Sequence, residues 1–373
     1  LDAHATISPD HEHSVPFFWP LTAALTLGEK AIETMQRNLD FAAEAGEIEN
    51  PPAPEWASAN TVRLDMDTMR LRAFRPSAGG SGLPVLIDAP YAGHSATIAD
   101  YDQGQSLVQT LMANGLGQVF VTDWKPATPQ MRYFGIDTYL AELNAVIDDL
   151  GGEVHLIGLC QGGWLGTMLA ARFPGKLRSL TLAGSPIDTD AGTGPIRQLA
   201  HSLPLAVYEE MVAAGGGTMP GRFMLTGWKN MHPGKQYLEK FETLYRHVED
   251  ADYLARTEKF ASWYENPVDL PGRYYLEAIG QLFKENRLAK GRFVALGRTL
   301  DLARITIPLY LLAGEADDIT TREQVFRAAE LFGTPADQVR KCLVPGGHIG
   351  LFMGRETLKT AWPDIARWIG QLG

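Results

Sequence analysis

The chain has 373 residues, 45% of them hydrophobic and 21% charged, and a formal net charge of -11. This balance excludes a disordered chain and an integral membrane protein, and the negative field repels polyanions, which leaves no electrostatic footprint for nucleic acid. Only Cys160 and Cys342 carry thiols, so the expected setting is a reducing compartment rather than a disulfide framework.

The opening stretch, "LDAHATISPDHEHSVPFFWP", lacks the basic start and apolar run of a secretion signal, and no later window has the roughly 18 uncharged apolar residues of a membrane span. A cytoplasmic protein is expected. From Phe17 to about Ala45 apolar residues recur at helical spacing until Pro51, Pro52 and Pro54, which predicts an amphipathic helix within an N-terminal extension, residues 1–58.

Next, "TVRLDMDTMRLRAF" alternates as two strands joined by a short turn, and "LPVLIDAP", "GQVFVTDW" and "VHLIGL" read as buried strands separated by helices. That repetition predicts an α/β fold with a mostly parallel sheet and right-handed crossovers. "LRSLTLAG", "IPLYLLAG" and "VRKCLVPGG" supply further strands. Between them the pattern turns aromatic and helix-prone, so a helical lid is expected over residues 191–300. It would divide the core into a first part, 59–190, and a second, 301–373, and cover the strands' carboxyl ends. Aromatic residues such as Trp228, Tyr237, Trp263, Tyr274 and Tyr275 could line an apolar path there or form the lid's own core.

The segment Gly158-Leu159-Cys160-Gln161-Gly162 has the form G-x-C-x-G, a nucleophile elbow with sulfur in place of oxygen. Small flanking residues let a strand reverse sharply into a helix and push the central side chain outward. At that helix N-terminus the dipole favours a thiolate. A nucleophile needs a base and an orienting acid, in the chain order nucleophile, acid, histidine. "LYLLAGEADDIT" carries a strand into a turn at Asp317, and "CLVPGGHIG" carries one into a glycine turn at His348. Asp318 competes with Asp317, which is preferred as the first after the strand. For the oxyanion of an attacked carbonyl, amide donors are expected from Gln161 and from the loop "DAPYAGHSA", where Tyr91 is the first choice and Ala92 the second. His94 in that loop could contact substrate or fix the loop. No metal or cofactor is expected: histidines and cysteines do not pair at ligand spacing, and "GLCQGG" lacks the lysine of a phosphate cradle.

"VLIDAPYAGHSATIADYDQGQSLVQTLMANGLGQVFVTDWK", "GSPIDTDAG", "FMLTGWKNMHP" and "AGEADDIT" with "GGHIGLFMGR" together resemble the intracellular polyhydroxybutyrate depolymerases over roughly residues 60 to 370. The cysteine box and "FKENRLAKGRFVALGRTLDLARITIPLYLLAGEADD" look like the related polyhydroxyalkanoate synthases. The resemblance implies an α/β-hydrolase fold whose Cys-Asp-His triad falls on Cys160, Asp317 and His348. It implies hydrolysis of the storage polyester at its granule through a cysteine acyl-enzyme, with polymerisation of 3-hydroxyacyl-CoA on the same cysteine as the alternative. A non-catalytic granule-binding protein is a further alternative. Several such depolymerases have a degenerate box after the cysteine, whereas this chain keeps both glycines, as many synthases do.

Overall fold

The computed structural model describes residues 44–45, 51–74, 82–231, 243–244 and 246–373. The helix expected from Phe17 to about Ala45 lies outside them except for its last two residues, as does Tyr237. By internal contact the chain divides into two units, Leu1–Pro51 with Pro233–Ala261, and Pro52–His232 with Ser262–Gly373. In the first, Ala45, Leu244 and Ala261 are buried together, with Tyr253 and Leu254 packed against them.

The second unit is built on a sheet whose strands follow the sequence pattern closely. In chain order they are β1 (Thr61–Asp65), β2 (Met69–Phe74), β3 (Val85–Asp88), β4 (Val119–Trp124), β5 (Val154–Leu159), β6 (Leu177–Ala183), β7 (Leu309–Gly314) and β8 (Val339–Val344). Their order across the sheet is β1-β2-β4-β3-β5-β6-β7-β8. β2 runs antiparallel to both β1 and β4, and the remaining neighbours are parallel. Every residue of β3, β5 and β7 is buried, as continuous apolar runs require when helices cover both faces. β1 and β8, at the two edges, are largely exposed.

Helices α1 (Leu107–Ala113), α2 (Ile136–Asp149) and α3 (Gly162–Arg172) make the crossovers. Ser106 caps α1 by accepting from the Gln109 amide at 3.0 Å. In α2 the buried residues Ile136, Tyr139, Leu140, Leu143, Val146 and Ile147 fall on one stripe, the face turned to the sheet. α3 is buried from Gly162 to Ala171, which explains its lack of a polar face. Between β6 and β7 come α4 (Pro195–Ser202), α5 (Leu205–Ala214), α6 (Gly221–Met231), α7 (Ala251–Tyr264) and α8 (Gly272–Glu277), the last continuing into a π-helical turn, Ala278–Lys284. α9 (Arg355–Gln371) closes the chain with Trp362 fully buried.

Cys160, Asn286 and Leu296 are the non-glycine residues with left-handed φ among those described, and the first of these lies at the junction that positions the site. Leu159 ends β5, and Cys160 takes a left-handed φ of 51° before α3 begins. A Cβ on Gly158 would fall 2.5 Å from Gly163 Cα, and one on Gly162 would fall 2.0 Å from the Asp88 carbonyl oxygen. The glycine framing read from the sequence is thus a requirement of close backbone approach. Because the atom in the way belongs to the backbone of β3, Gly162→Ala is expected to destabilise the fold by about 2–3 kcal/mol or more. Chemical denaturation of the purified variant checks this; wild-type stability would contradict the packing described.

Candidate active site

Strand order alone explains why residues so distant in sequence can meet. Cys160 follows β5, Asp317 follows β7 and His348 follows β8, all at carboxyl ends on one side of the same sheet, where parallel α/β sheets present their loops. The His348 Nδ1–H donates to Asp317 Oδ2 at 2.8 Å. Asp317 Oδ1 accepts from the amides of Ile319 at 3.0 Å and Thr320 at 2.8 Å. Asp317, rather than Asp318, is therefore the carboxylate on the imidazole, and its two oxygens are aimed by the turn that carries it. The other face of the pair is Cys160, whose side chain also hydrogen-bonds the His348 ring. With Nδ1 committed to Asp317, Nε2 is the nitrogen left for sulfur.

Little water reaches this group. Cys160 is 8% exposed, and the side chains of His348 and Asp317 are 9% and 0% exposed. Burial by itself would lower the imidazole's pKa, but the negative charges of Cys160 and Asp317 and their hydrogen bonds outweigh it and raise it to about 10. The His348 ring accordingly holds its proton at neutral pH. Phe352 stands edge-on to the ring at 5.2 Å and holds its plane.

The elbow is tied down around the sulfur. The Cys160 amide donates to Ala183 O at 2.9 Å, the Gly163 amide to Cys160 O at 3.0 Å, and the Trp164 indole to Pro186 O at 2.7 Å. Gln161 is the N-cap residue of α3, which sets its amide among the free donors at that helix end. In the loop after β3, the Tyr91 side chain turns inward: its hydroxyl donates to Lys125 O at 2.9 Å, and its ring packs on Tyr139 and Tyr274 at 5.0 and 5.3 Å. Ala92 and Gln161 instead border one cavity of about 240 Å³. Of the two loop positions expected as amide donors, Ala92 is on the cavity wall with Gln161.

Of the two roles open to His94, its contacts describe the loop-fixing one. Its ring stacks on Trp263 at 4.7 Å and Tyr264 at 5.2 Å, and its Nε2–H donates to Tyr264 O at 3.1 Å. Removal from water lowers its pKa to about 4, so it is neutral at pH 7.

One neighbour of the site was not singled out in advance, and another was named only as a lid aromatic. Asp88, paired in register with Gly158, is fully buried, accepts from the Thr122 hydroxyl at 3.0 Å, and is pushed well above the usual carboxylate range by that burial. An acid closing the apolar strand "VLID" was its only sequence signal. Tyr274 lines the cavity, and its hydroxyl is raised by burial and by the charges of Asp88, Tyr91 and Cys160. Tyr275 also lines the cavity, whereas Trp263 packs on His94. Among the described residues no group of three or more His, Cys, Asp or Glu could hold a metal ion, and no helix is long and apolar enough to cross a membrane.

With this geometry in place, comparison with known proteins adds the following. Residues 184–372 match the family model described as PHB de-polymerase C-terminus. The poly(3-hydroxyalkanoate) polymerase subunit PhaC of Haloferax mediterranei is 26% identical over 295 residues, covering 77% of this chain. The chain spans 57% of that relative's length. The protein of the same description from Haloarcula marismortui is 23% identical over 381 residues, covering 95% of this chain and 77% of its own. Among solved structures, a hydrolase from Pseudomonas aeruginosa superposes with a TM-score of 0.52 at 17% identity, covering 84% of this chain and 99% of that one. A monoacylglycerol lipase from Paleococcus ferrophilus gives 0.50 at 16% identity, covering 82% and 99%. The fold is that of the α/β-hydrolases.

One consequence of the ion pair can be measured directly. The His348 imidazolium is retained in the fold up to about pH 10, against about 6.5 for a free imidazole. Its contribution to stability is therefore fully present below about pH 6.5 and lost as pH rises toward 10. Cys160→Ala removes the anion facing it, so the His348 titration, followed by NMR of its ring carbons, is expected to move down by at least about one unit. An unchanged midpoint would show that sulfur does not hold the proton there.

Proposed function

The chain belongs to the family described as PHB de-polymerase C-terminus, and on that premise we propose that it transfers 3-hydroxyacyl groups from CoA thioesters into a polyhydroxyalkanoate through Cys160. The observation that carries this reading is the burial of Cys160 and His348 beside an apolar cavity. An acyl-thioester formed there is shielded from water, so a bound hydroxyl competes well for it. The relatives described as polymerase subunits support the same choice; hydrolysis, the leading expectation from the sequence, becomes the second reading.

In the proposed cycle the Cys160 thiolate attacks the thioester carbonyl carbon, and the oxygen takes up the negative charge between the Gln161 amide and an amide of the Tyr91–Ala92 loop. The carbon–sulfur bond to CoA breaks, and the departing thiolate takes the proton from the His348 imidazolium. His348, now neutral and aimed by Asp317, accepts the proton of the 3-hydroxyl of a second unit as that oxygen attacks the acyl-cysteine. Breaking the bond to Cys160 restores the thiolate, and the proton on His348 restores the pair. The polymer granule is the corresponding partner.

A specific observation keeps hydrolysis as the second reading: the family's description is that of a depolymerase, and water in place of the hydroxyl would complete that reaction with the same residues. Parallel incubations with 3-hydroxyacyl-CoA and with amorphous polyester granules separate the two. Free CoA together with polymer is expected, and Cys160→Ala should abolish both. Soluble hydroxy acids released from granules, without CoA release in the parallel tube, would establish the second reading and overturn the first.

A further inference from the structure

The cavity beside the elbow has a size and lining that the chemistry of the triad does not require. It is about 240 Å³ and runs from Gln161 between α4, α5, α6 and α8 to the π-helical turn. Ala200, Met224, Ala278 and Ile279 are on its wall, with Phe283 packed edge-on against Trp164 at 5.2 Å. Gln161, the residue after Cys160, lines the cavity, as does Tyr274, which feels the charge of Cys160, so the space opens next to the residue that would carry an acyl group. An apolar cavity of about 150 Å³ accommodates benzene, roughly 25 Å³ for each carbon. On that scale the present cavity holds about nine or ten carbons. A four-carbon hydroxybutyryl group would leave more than half of it empty, and voids of that kind are unfavourable in a packed interior.

We propose that this cavity selects medium-chain 3-hydroxyacyl groups, of about eight to ten carbons, over hydroxybutyryl; the inference rests on Cys160 being the acyl acceptor. Each methylene moved from water into the cavity strengthens binding by about fourfold, so a modest number of carbons gives strong discrimination. Gly227 offers a way to shorten the space. It lines the cavity, and a Cβ built on it meets nothing within 4 Å, so a larger side chain there can enter the cavity without displacing the backbone.

The test uses the full chain and two kinds of acyl donor. One arm measures p-nitrophenol released from p-nitrophenyl butyrate and p-nitrophenyl octanoate, which acylate a thiol without any CoA recognition. The other measures CoA released from 3-hydroxybutyryl-CoA and 3-hydroxyoctanoyl-CoA. In each arm kcat/KM for the eight-carbon donor is expected to exceed that for the four-carbon donor by at least about tenfold. Gly227→Leu should reduce that ratio at least about tenfold and Gly227→Ala by less in the same direction, with circular dichroism showing both variants folded. Equal or faster reaction of the four-carbon donors, or a Leu variant that slows both lengths in proportion, would overturn the proposal. If the esters show the preference while CoA thioesters are inert, the chain-length cavity stands and transfer from CoA falls. If CoA thioesters react without preference, the cavity proposal falls and transfer stands.

Discussion

The left-handed turn at Cys160 is the constraint on which the rest of the structure depends. A non-glycine residue at φ 51° carries about 1–3 kcal/mol of backbone strain, which persists only where the surroundings over-determine it. Here they do. The Cys160 amide is held by β6, its carbonyl by α3, and the helix itself by the indole of Trp164 bonded to Pro186. In exchange the turn lifts sulfur out of the sheet, sets it at the amino end of an 11-residue helix and brings the loop after β3 against Gly162. The position of the sulfur and the nearness of the loop after β3 both follow from one backbone angle.

Electrostatics then separates the groups around the turn by whether charge or desolvation prevails at each. His348, between Cys160 and Asp317, keeps a proton despite its burial. At His94 desolvation outweighs the charge of Glu265 and lowers the pKa, and at Asp88, where no charge acts, it raises the pKa. A buried histidine that keeps its proton beside an apolar cavity is what the proposed transfer of a neutral acyl group would require.

The strands were legible because buried parallel strands are continuous apolar runs, and "VLID", "VHLIGL" and "LYLLAG" all became such strands. Cys160, Asp317 and His348 were legible for a different reason: each sits where an apolar strand breaks into glycine or acidic residues, and strand order does the rest. What could not be read was set by partners far along the chain. His94 is fixed by Trp263 and Tyr264, some 170 residues away, and nothing in "YAGHSA" announces them. The choice between Tyr91 and Ala92 likewise depends on a cluster with Tyr139 and Tyr274. The raised pKa of Asp88 follows from burial on all sides, and the cavity is a property of how helices pack. Spacing could not distinguish hydrolysis from transfer, since both use the same three residues and differ in what reaches the intermediate.

That intermediate is where the account is most exposed. Rapid-quench mass spectrometry of the wild-type protein mixed with a 3-hydroxyacyl-CoA should show the peptide containing Cys160 heavier by one acyl group within the first turnover, with no such adduct on Cys342 and none after His348→Ala. Turnover with an unmodified Cys160 peptide at every time point would contradict the central role given to that sulfur.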